Sequence, residues 1–581
     1  MLSNALIAGA LASVYLTILI LYLNPSFPLS FAALGRLLIA LGVAYGVNFA
    51  AAFYGLIVLR QLTASEVVSP GWLSVRLLSW LSTIAAGGVA IVMWLNLRSF
   101  APVLDPQTVT RMTAGAVILS ASSVVFLLIA FAHLGRRGGL ASAVLLTAMM
   151  AISIAASLTA RGRGRESALM PHTTAAIVSL EPARTVAKVT VLALDGATLD
   201  VISPAVAEGR LPNFGRIFDA GAVLHLATLK PTQAEPVWSA VATGRVPVAN
   251  GIRASALYRA RLGDPALEVL PDYCLAYLLV RFGLLIEQAH DVRSLRARPL
   301  WDILGDAGLP IGFIGWPLTH PAPVVNGFIV SDEFHRLVDE KVDLENTAAV
   351  SPHALVDEVR AALLGPMPLD PLALVSRVAE APQGDADARP DRAPVAADRM
   401  HLQIMAEVAT RADSRFVALR LPGLDAVGHY FLRYADPSAF GDVSPEELRQ
   451  YGRVLSEYYG FIDAVVGGLM QSMGPDDLLL VISGFGMEPL SPGKRMLERL
   501  AGNVRLSGSH ERSPDGFLLA FGSPVAPGRP RRASLLDFTP TVLYYLGLPV
   551  ARDMEGFART DLFREDFTAS RPITFIPTYG R

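Results

Sequence analysis

Five apolar runs crowd the first 160 of 581 residues, and no other feature limits the fold as strongly. They cover residues 4–23, 37–59, 77–95, 112–132 and 140–160, and each matches the roughly 20 residues that a helix needs to cross a hydrocarbon core. In that medium every backbone amide and carbonyl must be satisfied within the segment, so five transmembrane helices are predicted. The first run lacks a basic leader and is long for a signal sequence, which favours a retained span. None of the runs holds an acidic residue or a lysine. An ion or substrate path would be marked by such charges, so the segment reads as an anchor rather than a transporter.

Arg36, Arg98, Arg111, Arg161, Arg163 and Arg165 fall on the membrane face that carries the rest of the chain, against Arg60, Arg76, Arg136 and Arg137 on the other. Alone, this tally leans toward a cytoplasmic position for the part of the chain beyond the spans. Half of the six sit in residues 161–187, an aperiodic Arg-, Gly-, Ala- and Thr-containing stretch that reads as a linker. A net charge of -2 gives no electrostatic case for nucleic acid. The single cysteine, Cys274, excludes an internal disulfide and a cysteine-built zinc site.

From residue 188 the pattern changes. Lys188-Val-Thr-Val-Leu-Ala-Leu-Asp195-Gly196 is a near-continuous apolar run ending on an acid and a glycine. Such a run reads as a buried parallel strand that delivers Asp195 to the carboxyl edge of a sheet, where open α/β sheets place their ligands. Strand-like segments at 222–228, 310–314, 415–421, 478–483 and 517–521 alternate with helix-like ones at 236–242, 401–411 and 537–546. The alternation predicts an α/β domain over 188–581 with a mostly parallel central sheet flanked by helices. An insertion is expected near 255–298, and a Pro-, Ala- and Asp-rich loop near 365–397.

Within this domain the chain resembles the alkaline phosphatase superfamily, specifically its type I phosphodiesterase/nucleotide pyrophosphatase branch. The resembling pieces are Leu194-Asp195-Gly196, Leu211-Pro212-Asn213-Phe214, and Pro231-Thr232 through Trp238 to Thr243-Gly244. They continue with Gly251-Ile252, Asp425 with Gly428-His429, Ser483 with Gly486-Met487, and His510. The last are Asp537-Phe538-Thr539-Pro540-Thr541-Val542-Leu543, Leu546-Gly547-Leu548-Pro549 and Asp553-Met554-Glu555-Gly556.

The resemblance implies an alkaline-phosphatase-like fold and a clamp of two zinc-type ions, held by Asp and His, with a Thr or Ser at a helix start attacking phosphorus. Carried onto this chain, Asp425, His429 and His510 would form one metal site and Asp195 would belong to a second. Read without the family, Asp425 caps a helix, His429 is a polar loop residue, His510 is a surface histidine and Asp195 is a buried acid holding backbone amides.

The second site departs from the pattern. Where the family has a Ser-Asp-His-Gly-Met turn, this chain has Ser483-Gly484-Phe485-Gly486-Met487, and neither replacement coordinates a metal. Ala234 stands at the nucleophile position, Glu235 comes next at the helix start, and Asn250 replaces a family histidine. Thr232 and Ser239 are the nearby hydroxyls. The expectation is a membrane-anchored pseudoenzyme that keeps one divalent metal, of the zinc type, and binds a phosphorylated small molecule, lipid headgroup or partner. One alternative is a single-metal hydrolase in which the ion activates water and Glu235 is the candidate base. The other is a non-enzymatic membrane scaffold. Superfamily enzymes that transfer phospho-groups from lipids share the layout of about five spans before an extracytoplasmic domain. By that analogy the domain is expected outside the cytoplasm of a bacterial cell, against the arginine tally.

Overall fold

The computed structural model describes residues 2–25, 27–63, 74–133, 139–162, 187–260, 266–365, 370–371, 392–409, 413–500, 502–503, 505–510 and 512–580. Most of the expected linker and of the Pro-, Ala- and Asp-rich loop lies outside these residues, as do Arg136, Arg137, Arg163, Arg165 and the side chain of Cys274. The chain forms two units, one of Met1–Pro171 with Ala254–Ala289, the other of His172–Arg253 with His290–Arg581.

Among its described residues the first unit contains five helices long and apolar enough to cross a membrane: α1 (Leu2–Leu23), α2 (Phe31–Thr63), α3 (Val75–Val103), α4 (Pro106–Ala132) and α5 (Leu140–Arg161). Arg161, expected in the linker, instead ends α5 as a buried side chain. Its Nε donates to the Leu21 carbonyl at 2.8 Å and its Nη2 to Asn24 and Phe27 at 2.7 and 2.9 Å. A cation thus closes carbonyls left open at the C-terminus of α1.

The predicted insertion also belongs here over residues 254–289, forming an antiparallel hairpin of Ala256–Ala260 and Leu285–Ala289. Three side chains from the helices bind its backbone. Asn24 exchanges two hydrogen bonds with Glu268, Asn96 donates to Leu270 at 2.8 Å, and Tyr45 donates to Leu275 at 3.0 Å. Val269, Leu270, Ala276 and Leu285 pack into the same apolar core as Tyr15, Leu19 and Phe100. Apolar residues spaced along a loop give no period in the sequence, because they bury against helices rather than within an element of their own.

The second unit is the predicted α/β fold. Its strands are β1 (Val189–Leu194), β2 (Ala222–Ala227), β3 (Ile311–Ile314), β4 (Gly327–Val330), β5 (Val350–Ser351), β6 (Phe416–Leu421), β7 (Leu478–Phe485), β8 (Asp515–Phe521) and β9 (Ala533–Ser534). They form one sheet in the order β9-β2-β8-β7-β1-β6-β3-β4-β5. Only β8, and β5 at one edge, run antiparallel to their neighbours. Leu192, Leu194 and Leu419 pack to one face of the sheet, and Val191, Ala193, Phe416 and Ala418 to the other. Each face therefore meets helices, which is why the central strands read as continuous apolar runs.

The helices that position the site are α6 (Ala234–Thr243), α7 (Arg392–Ile404), α8 (Gly423–Ala435), α9 (Val454–Gln471) and α10 (Phe538–Tyr545). Two sequence expectations change. The helix predicted over 401–411 starts at Arg392 and gives way to a π-helical turn, Met405–Ala409. The helix predicted over 537–546 as amphipathic is buried at every residue of α10, because Phe538 stacks on Trp316 while Thr539 donates to the Val241 carbonyl.

Candidate functional site

The site is built where three central strands end. β1 lies between β6 and β7, and the register sets Leu194 beside Leu421 on one side and Ser483 on the other. Asp195 after β1, the turn into α8 after β6, and Phe485 at the end of β7 therefore emerge together at the carboxyl edge.

α8 begins two residues beyond β6 and carries Asp425 and His429 four apart, hence on one face. His429 Nε2 lies 3.3 Å from Asp425 Oδ2. Its Nδ1 is 2.8 Å from the Gly508 carbonyl, which fixes the neutral ring as the Nδ1–H tautomer and turns the Nε2 lone pair inward. His510 adds its ring 5.5 Å from that of His429, with Nδ1 3.3 Å from the Thr232 carbonyl. Ligand atoms of Asp425, His429 and His510 all lie within 4.8 Å of one another.

Two observations show that these residues fit a metal ion. Asp425 Oδ1 is buried without a hydrogen-bond partner, a state that costs about 1–3 kcal/mol when nothing binds the oxygen. Both imidazoles are held through Nδ1 by backbone carbonyls, the outer-shell support typical of metal-ligating histidines. Two His and one carboxylate supply three ligands and leave a position for a fourth. Burial raises the Asp425 carboxyl, but the charge and hydrogen bond of His429, with His510 behind it, outweigh burial and hold it down to about 2. Burial lowers His429, and Asp425 reverses this, so the imidazole sits above its ordinary value.

Asp195, expected at a second site and not with these three ligands, is not part of the cluster. Nε and Nη2 of Arg420 both donate to its Oδ2, the former at 3.0 Å. The register explains the meeting: Arg420 pairs with Ala193, and Asp195 is two residues on, so all three share one face of the sheet. Burial pushes the Asp195 carboxyl up and the guanidinium pulls against it. Arginine does not deprotonate in proteins, so the guanidinium keeps its charge beside this carboxyl. Arg420 belongs to none of the motifs. Its one signal in the sequence is a lone cation inside the apolar run Phe416-Val-Ala-Leu-Arg420-Leu421.

Ala234, which the resemblance aligns with the nucleophile, is the first residue of α6. Thr232 Oγ1 is committed to the Leu229 carbonyl at 2.8 Å, and Ser239 Oγ donates to Pro236 at 3.0 Å while accepting from Asn250. Asn250 is itself structural, accepting the Ile252 amide at 2.9 Å. Glu235 occupies the first turn of α6, within electrostatic reach of Arg420.

At the Ser483-Gly484-Phe485 turn, packing leaves no room for a larger side chain at 484. A Cβ on Gly484 would lie 2.4 Å from Cγ1 of Val237, and Phe485 is buried with its ring 4.8 Å from His510. Trp238 is fully buried edge-on to Trp316 at 5.3 Å.

A second group without a sequence motif supports α8 from below. Asp398 on α7 accepts the Gly423 amide at 2.9 Å and meets Tyr458 Oη at 2.6 Å. Burial dominates there and pushes the Asp398 carboxyl up to about 8, so it is protonated at neutral pH. One turn on, His401 Nδ1 binds the Arg420 carbonyl at 2.8 Å, and burial drops that imidazole to about 3.

The family model for type I phosphodiesterase/nucleotide pyrophosphatase matches residues 189–533. No curated protein matches the sequence. Among solved structures, the chain is similar to murine ectonucleotide pyrophosphatase/phosphodiesterase 5, at 14% identity and TM-score 0.38 over 65% of this chain and 100% of that one. The human counterpart gives 14% identity and TM-score 0.39 with the same coverage. With a match across well over half its length and five apolar helices ahead of it, the chain belongs to the type I phosphodiesterase/nucleotide pyrophosphatase family, as a membrane-anchored member.

Proposed function

We propose that this protein is a catalytically impaired member of its family that keeps one divalent-metal site and binds a phosphorylated ligand, a small molecule or a lipid headgroup, without turning it over. The observation that carries the reading is an assembled Asp425, His429 and His510 cluster in a site whose nucleophile position is the methyl of Ala234. Two imidazoles and a carboxylate favour an ion of the zinc type. When bound, the ion supplies a positive centre for phosphoryl oxygens.

The chain's own residues do the rest. His429 and His510 present nitrogens oriented by the Gly508 and Thr232 carbonyls, and Asp425 presents the oxygen that nothing else binds. Neither nearby hydroxyl is poised to attack phosphorus, since Thr232 and Ser239 both donate to backbone carbonyls. The soluble unit is assigned outside the cytoplasm by the shared five-span layout, and protease treatment of intact spheroplasts that leaves it uncut would overturn that placement.

The test is elemental analysis of full-length protein in detergent, paired with a chromogenic phosphodiester assay, for wild type and His429→Ala. About one zinc-type ion per chain, lost in His429→Ala, with no turnover in either, is expected. Turnover that disappears in His429→Ala would replace this reading with the single-metal hydrolase that uses Glu235 as base. Absence of metal would leave the fold as scaffold alone.

A further inference from the structure

Resting on that reading, we infer that Arg420 is a built-in cation standing in for the second metal, so that the site takes one divalent ion and grips a phosphoester oxyanion between it and the guanidinium. Four observations meet here. Asp195, the one carboxylate left from the second metal site, gives Oδ2 to both Nε and Nη2 of Arg420. The places of the other two ligands are Gly484 and Phe485, and Val237 fills the space in front of Gly484. Arg420 acts electrostatically on Asp195, Asp332 and Glu235, as a central cation would. Its side chain is 18% exposed against 4% for Asp195, so the arginine is the more accessible partner of the pair.

The replacement changes the chemistry. A guanidinium offers a planar fork of N–H donors suited to phosphate oxygens, but it neither exchanges ligands nor activates a hydroxyl. Among the described residues Nη1 has no hydrogen-bond partner, so this end of the fork is available.

The experiment loads full-length protein in detergent with Zn²⁺, counts bound ions, and then titrates inorganic phosphate by calorimetry. Wild type should hold one ion, and Arg420→Gln should still hold one while binding phosphate at least tenfold more weakly. Because Arg420→Gln leaves Asp195 unpaired, the double variant Asp195→Asn/Arg420→Gln is run beside it and should show the same loss with the fold restored. Two ions per wild-type chain would overturn the inference, as would unchanged phosphate affinity in the double variant. A wild type that binds no ion refutes the proposed function instead, and the phosphate titrations of metal-free wild type and double variant still decide the role of Arg420: a tenfold loss supports it, and equal affinity overturns it.

Discussion

Asp398→Asn should make this protein more stable at neutral pH, because the native carboxyl is an acid forced to stay neutral. Burial pushes it from 3.8 to about 8, while the Tyr458 and Gly423 hydrogen bonds offset only part of that rise. The folded protein therefore keeps a proton that the unfolded chain releases. This group's contribution to stability is complete below about pH 4 and is lost progressively up to about pH 8. Each pH unit in that window is worth about 1.4 kcal/mol, so wild type forgoes about 4 kcal/mol at pH 7. Asparagine is isosteric with the protonated acid. Its Oδ1 accepts the Gly423 amide and its Nδ2 donates to Tyr458 Oη, the reverse of the native bond, in which the hydroxyl donates to the carboxyl. Scanning calorimetry of the full chain in detergent should show the melting temperatures of the two proteins converging near pH 4. They should part by roughly 8 °C at pH 7, at about 2 °C per kcal/mol for a unit of this size. A variant less stable than wild type at pH 7, or one whose pH profile runs parallel to it, would mean that Asp398 is ionised in the fold and that burial does not dominate.

Three further outcomes are expected. Gly423→Ala places a Cβ 2.1 Å from Tyr458 Oη and 2.5 Å from Asp398 Oδ2, so it should cost about 1–3 kcal/mol by calorimetry and, by moving the start of α8, weaken zinc binding at Asp425 and His429. Gly484→Asp should destabilise without raising the ion count, since its Cβ meets Val237 Cγ1 at 2.4 Å; a second bound ion in that variant would refute the packing argument. Zinc affinity should fall as pH drops through the raised His429 value, because the ion needs the neutral imidazole. Asp425, held down to about 2, adds no dependence above pH 4; a titration flat across the histidine range would remove His429 from the ligand set.

The architecture is legible because its signals are local. Five long apolar runs and a series of buried parallel strands each declare themselves within about 20 residues, and the sheet contains the predicted strands near their predicted bounds. The same holds for Asp425 and His429, four apart on one helix. What is not legible depends on pairing across the chain. The insertion at 254–289 folds with helices more than 150 residues earlier, through Asn24, Tyr45 and Asn96, and no window of sequence contains both partners. α10 reads as amphipathic because Thr539 and Thr541 are polar by composition, yet both hydroxyls are buried on backbone carbonyls.

The site divides along the same line, and the division bears on what the substitutions mean. Ala234, Gly484 and Phe485 can be read from the sequence as losses, because each falls at a position where a motif sets an expectation. The compensating residue cannot, because Arg420 stands 225 positions from Asp195 and belongs to no motif. A site decaying without constraint would leave Asp195 as a buried, unpaired carboxylate, and removing one partner from a buried ionic site costs about 3–5 kcal/mol. Instead Val237 fills the space before Gly484, Phe485 packs on His510, and a guanidinium neutralises Asp195. On the proposed reading, those contacts rebuild one half of the site around a fixed cation, while the other half keeps an unpartnered Asp425 oxygen. That oxygen is costly to keep unless something binds it, so the retained half points to a site that still holds an ion, and the rebuilt half to one that no longer needs a second.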